Sequence, residues 1–179
     1  MAEASGLTRA DIRRLFDALN AELAKTQAEG EIYLVGGAVM CLVFDARAAT
    51  RDVDAYFRPT KLLREAAARV AAKEGVPERW LNDAVKGYLS PRGEFDHYLE
   101  LSHLRVFTAR PEYLLAMKCV AMRLGEEFRD LDDVRYLLRY LNVTTVDAAL
   151  EIVSRYFDER LLAPKTRLAL EELLPGDRG

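Results

Sequence analysis

The stretch Ile32–Phe57, "IYLVGGAVMCLVFDARAATRDVDAYF", decides how the chain is read. It opens on a short apolar, aromatic-bearing run of the kind that forms a strand, and Gly36-Gly37 interrupts that run. "AVMCLVF" then reads as a buried helix starting directly after the glycines, and "DVDAYF" as the next strand, closed by Pro59. Alternate residues of a strand share a face, so Asp52 and Asp54 are expected to point the same way, roughly 7 Å apart along the strand. Carboxylates are poor strand formers and costly to bury unless something positive meets them. Two on one face can converge on a divalent ion, and magnesium is the natural candidate because it takes hard oxygen ligands and bridges carboxylates to phosphates. The glycines supply the complementary half. Backbone without side chains approaches a phosphate closely, and the helix after it offers free N–H groups. The competing reading is a plain turn beside an edge strand with two solvated aspartates, with Arg51 as a structural counter-charge.

Outward from this unit, Thr8 and Asp11 form a variant capping box before Ile12, Leu15, Phe16, Leu19 and Leu23, which recur at helical spacing; Gly30 is the expected cap at the far end. Thr60 to Lys73 reads as an Ala-rich amphipathic helix with Leu62, Leu63, Ala66 and Val70 inward. "VPERWLNDAVKGYLSP" is expected to hold a short helix and then a strand or loop. "FDHYLELSHLRVFTA" alternates as two strands joined near Ser102 and His103. After that the pattern is helical: Pro111 to about Leu124, a break at Gly125, then "DLDDVRYLLRYL", "TVDAALEIVSRYF" and "APKTRLALEELL", with a frayed "PGDRG" end. The expected fold is α+β, a small mixed sheet flanked by helices and followed by a helical part. The expected division is 1–109 and 110–179, the two packed across a shared cleft.

The 179 residues are 50% hydrophobic and carry a formal net charge of -3, which argues for a globular core and against broad salt-driven nucleic-acid binding. "MAEASGLTRADIRR" has no apolar h-region, and no apolar run approaches membrane-spanning length, so a cytoplasmic protein without a membrane partner is expected. Cys41 and Cys119 read as small buried hydrophobes, and no Cys-His pair has zinc-ligand spacing. His97 and His103 read as structural or exposed. Arg58, Lys61, Arg64, Arg69 and Lys73 read as a solvated face, with an RNA edge as the other possibility.

"VGGAVMCLVFDARAATRDVDAYF" resembles the core of the polymerase-beta-like nucleotidyltransferase superfamily, whose signature is a hydrophobic residue and Gly-Gly/Ser, a helix, then Asp-x-Asp in a strand. Within it the chain is most similar to AbiEii-type nucleotidyltransferases, toxins of type IV toxin–antitoxin systems, and their small DUF6036-like relatives. The likeness extends to "WLNDAVKGYLSP" and "RPEYLLAMKCVAMRLGEEFRDLDDVRYLL", from about Glu31 to Leu141. It implies that Gly36 and Gly37 hold nucleotide phosphate and that Asp52 and Asp54 bind Mg2+. It implies further that Lys118, which interrupts the apolar "LLAMKCVAM", reaches the phosphates across the cleft. Arg123 belongs to the same nucleotide-binding set, and Asp133 would orient Lys118 or Arg123 or touch base or ribose. Asp130 also reads as a helix N-cap.

Such enzymes use a third carboxylate as general base or metal ligand. Glu100, Asp96 and Glu94 are the candidates, with Asp83 more remote. Alternation in "FDHYLELS" sets Asp96, Tyr98, Glu100 and Ser102 on one face, and Glu100, between leucines, is chosen. The implied activity is transfer of a nucleotidyl group from an NTP to a hydroxyl of an RNA, a tRNA or a protein, in a toxin that has a cognate antitoxin. Transfer to a small molecule, as in antibiotic-modifying relatives, is an alternative. So is a binding module that keeps the fold without turnover.

Overall fold

The computed structural model of the protein describes residues 6–122 and 129–174; Arg123, Gly125 and the "PGDRG" end lie outside the described residues. The chain is α+β, with a five-stranded mixed sheet, a small two-stranded sheet and helices. It divides into two compact units, Met1–Gly87 with Phe95–Ala109, and Tyr88–Glu94 with Arg110–Gly179. No helix among the described residues is long and apolar enough to cross a membrane.

The first unit opens with β1 (Leu7–Thr8) and α1 (Arg9–Lys25). The Thr8 hydroxyl accepts from the Asp11 amide at 3.2 Å and the Asp11 carboxylate accepts from the Thr8 amide at 2.9 Å, the reciprocal cap read from the sequence. Then follow β2 (Gly30–Leu34), α2 (Gly37–Leu42), β3 (Ala49–Thr50), β4 (Val53–Arg58), α3 (Thr60–Glu74), β5 (Leu81–Asn82), β6 (Phe95–Glu100) and β7 (Leu104–Ala109). The large sheet runs β5-β4-β2-β7-β6, with β2 antiparallel to β4 and parallel to β7; β1 and β3 pair separately.

Alternation sorts the sheet into two faces. Ile32, Leu34, Val53, Ala55, Phe57, Leu104 and Val106 are buried on one. Helices α1 and α3 pack on each other, α1 against β7 and α3 against β4. The α1 stripe Ile12, Leu15, Phe16, Leu19 and Leu23 is buried as its spacing requires, each side chain contributing about 1.5–3 kcal/mol. Trp80 is buried 6.4 Å from the Phe16 ring and donates its indole N–H to the Ala67 carbonyl at 3.0 Å. The opposite face is polar and aromatic. Tyr33 stacks on Phe107 at 4.8 Å, and Arg58 and Arg105 both bind Glu31, at 2.8 and 2.5 Å.

Three expectations change here. Gly30 does not cap α1, which ends at Lys25; it begins β2, where a Cβ would lie 2.6 Å from Leu63 Cδ2, so its bareness lets α3 sit close on the strand. In the "VPERWLNDAVKGYLSP" stretch the order is strand first, β5, then a 3-10 turn at Ala84–Tyr88. In β6 a bulge between His97 and Leu99 breaks the alternation: His97 pairs with Phe107 and Glu100 with Arg105, so Glu100 shares a face with His97 rather than with Asp96.

The second unit holds α4 (Pro111–Val120), α5 (Asp130–Tyr140), α6 (Val146–Tyr156) and α7 (Pro164–Leu173). α4 packs on α5 and α6, burying Tyr113, Leu114, Leu115, Val134, Leu137, Ala149 and Val153. Segment Tyr88–Glu94 joins these helices through side chains: the Ser90 amide donates to the Tyr113 hydroxyl at 3.0 Å, and the Tyr156 hydroxyl donates to Glu94 at 2.8 Å. Cys41 and Cys119 are buried free thiols, and burial pushes Cys119 up to about 12.

Candidate active site

The site is built where β2 runs out. The Val35 amide donates to the Asp54 carbonyl at 3.1 Å, carrying the β2–β4 pairing one step past the last strand residue. Gly36 then turns with φ +69 and ψ −147, a combination essentially confined to glycine. A Cβ on Gly36 would stand 3.4 Å from Asp54 Oδ2. Gly37 answers to space instead: a Cβ there would lie 2.7 Å from Arg47 Nη1 and 2.7 Å from Thr50 Oγ1, so these side chains would have to shift. One glycine supplies the conformation and the other the room.

Asp54 lies in β4 on the polar face, opposite the buried Val53 and Ala55. Asp52 does not lie in the strand. It sits in the bend leading into β4, so strand alternation fixes Asp54 alone, and Asp52 is held by other means. Its Oδ2 accepts from Asn82 Nδ2 at 3.2 Å, and its carbonyl accepts from the Thr50 hydroxyl at 3.2 Å. Asn82 is buried in β5, in register with Asp54, and its Oδ1 takes the Ala84 amide at 3.3 Å, which fixes the amide's orientation. Gly36, Gly37, Asp52 and Asp54 therefore belong to one neighbourhood, joined by Arg47, Thr50 and Asn82.

No family model, curated protein or solved structure matches this chain.

The remaining expected site residues fall elsewhere or outside the described residues. Glu100 is on edge strand β6, with β7 and β2 between it and β4. Its cross-strand neighbour is Arg105, in line with Glu31 and Arg58, which places it beside the far end of β4 from Asp54. The Glu100 side chain is 68% exposed and 3.7 Å from His97 Nε2. The β6 bulge turns it onto the polar face that Asp54 also shares, but the strand order and its place at the far end keep it from Asp52 and Asp54. Among the described residues no group of three or more His, Cys, Asp or Glu is arranged to hold a metal ion.

In the helical unit, Lys118 Nζ lies 2.8 Å from Asp133 Oδ2 and 3.3 Å from Asp130 Oδ1, with all three side chains nearly buried. Asp130 is the first residue of α5 and not its N-cap, which is Arg129. Lys118 and Asp133 are thus brought together, while Arg123 lies outside the described residues.

Sequence reasoning missed Asn82, Thr50 and Arg47. A buried amide in "WLND" and an arginine between alanines look like ordinary surface or loop residues. Only the pairing of β5 with β4 and the close approach to Gly37 give them a place.

Proposed function

We propose that this chain is a nucleotidyltransferase that moves a nucleoside monophosphate group from an NTP to an acceptor hydroxyl, with Asp52 and Asp54 as the residues that would hold magnesium. The observation that carries the reading is the packing of the Gly36 turn against the Asp54 carboxylate, 3.4 Å from where a Cβ would stand. A backbone that a phosphate can approach and a carboxylate able to ligate a metal then share one end of the neighbouring strands β2 and β4. Two carboxylates are a sparse set for a resident ion, but they suit magnesium, which commonly keeps one or two and takes its other oxygens from water and substrate phosphates.

In this reading the Gly36–Gly37 backbone holds the triphosphate, and Asn82 orients Asp52 toward it. When bound, magnesium would offset the charge of the phosphates and align the α-phosphorus for attack. The acceptor oxygen forms a bond to the α-phosphorus as the bond to the bridging oxygen breaks, pyrophosphate leaves, and the acceptor's proton passes to a base or to water. The likeness to AbiEii-type proteins supports an RNA, tRNA or protein acceptor, a toxin role with a cognate antitoxin, and a cytoplasmic setting rich in NTPs.

A second reading has an observation behind it. Glu100 stands apart from the aspartate pair and no three-ligand cluster forms among the described residues, which favours a nucleotide-binding module without turnover.

Calorimetric titration of each of the four NTPs, with magnesium, into wild type and Asp52→Ala/Asp54→Ala protein tests both. Magnesium-dependent binding that the double variant loses is the expected result. Binding of no NTP to the wild type would count against the enzyme and turn the reading to a fold kept as a binding module for another ligand.

A further inference from the structure

Arg47 lies within the Ile32–Phe57 stretch without a role assigned above, yet its guanidinium reaches the Gly36–Gly37 turn. Nη1 lies 2.7 Å from the point a Gly37 Cβ would occupy, so it rests directly against the bare backbone of the turn. Thr50 Oγ1 reaches the same point at 2.7 Å and donates to the Asp52 carbonyl at 3.2 Å. Asp54 Oδ2 lies 3.4 Å from the neighbouring Gly36 position. A guanidinium, a carboxylate and bare backbone therefore meet at one turn. Arg47 is half-buried there, whereas Arg51, next to Asp52 in sequence, is exposed.

We propose that Arg47 is the side chain that binds the triphosphate of the nucleotide at the Gly36–Gly37 turn. The assignment rests on the nucleotidyltransferase reading and names within it the group that recognises phosphate. A guanidinium presents a planar fork of N–H donors that engages two phosphate oxygens at once, and it keeps its charge at every physiological pH. Placed where Gly37 leaves the backbone bare, it faces the same ligand that the turn admits. Its charge also opposes the repulsion between the triphosphate and Asp54.

The test uses the full chain. Arg47→Ala is expected to weaken magnesium–NTP binding by about 10- to 100-fold, the range for a lost hydrogen bond to a charged group, while binding of the unphosphorylated nucleoside stays as in wild type. Arg47→Lys should recover part of the loss. The wild type gives an independent readout should Arg47→Ala not fold. Phenylglyoxal modification followed by mass spectrometry should find Arg47 protected by magnesium–NTP and not by nucleoside. Equal modification of Arg47 with and without NTP, or unchanged NTP affinity in folded Arg47→Ala, would overturn the assignment. The Asp52/Asp54 reading would survive either result if the double variant still loses binding. A wild type that binds no NTP would remove that reading and this assignment together.

Discussion

Asn82 donates its side-chain amide to Asp52 at 3.2 Å from a strand that is itself in register with Asp54. One buried residue of β5 thereby steadies a carboxylate that lies outside the strand. Groups that orient a metal ligand commonly contribute 10- to 100-fold in metal affinity. Asn82→Ala should raise the magnesium concentration at half-maximal NTP binding by about tenfold or more. A magnesium titration at fixed NTP checks this, and an unchanged midpoint would show that Asp52 needs no support.

Gly36 and Gly37 should fail differently. Gly36→Ala forces a positive φ on an alanine, at a cost of about 1–3 kcal/mol in stability. Gly37→Ala keeps an ordinary backbone but pushes a methyl into Arg47 and Thr50. Urea unfolding should show the larger stability loss for Gly36→Ala, and NTP titration should show binding lost in both. A Gly37→Ala protein that binds NTP normally would mean that the turn does not touch the ligand.

Lys118 sits between two acids in the interior of the helical unit. Lys118→Met leaves Asp130 and Asp133 buried without that cation, a change that typically costs about 3–5 kcal/mol. Chemical denaturation is expected to show a loss of that size. A folded Lys118→Met protein of wild-type stability that no longer binds NTP would return Lys118 to the phosphate role its sequence context suggests.

Glu22 ties α1 to α3 through Lys25, Lys73 and Arg69, and hydrogen bonds from Lys25 and then Lys73 hold its carboxyl down to about 2 against an ordinary 4.5. A folded pKa below the unfolded one means stability that is present above about 4.5 and lost as pH falls toward 2. Melting temperatures of wild type and Glu22→Gln should therefore converge as the pH drops through that window. Parallel curves would show that the cluster contributes nothing through charge.

Much of this was legible in local pattern. The Thr8–Asp11 cap, the α1 stripe and the strand–Gly-Gly–helix–strand order depend on residues close in sequence, and their spacing survives folding. What escaped depends on partners distant in the chain. Gly30 is explained only by Leu63 lying on it, and Asn82 only by the β4–β5 pairing. Strict alternation misassigned Glu100 because a bulge, which has no reliable local signature, inserts one residue before it. The division at residue 109 likewise could not foresee Tyr88–Glu94, whose ties to the helices run through Tyr113 and Tyr156.

The most direct measurement is the fate of the α-phosphate. Wild-type protein would be incubated with magnesium and each NTP, labelled in parallel at the α- or γ-position, together with total RNA and total protein as acceptors. Label from the α-position, and not the γ-position, should pass to an acceptor with release of pyrophosphate, and Asp52→Ala/Asp54→Ala should abolish it. Transfer of the γ-label, or no transfer from any NTP to either acceptor pool, would contradict nucleotidyl transfer to a macromolecule.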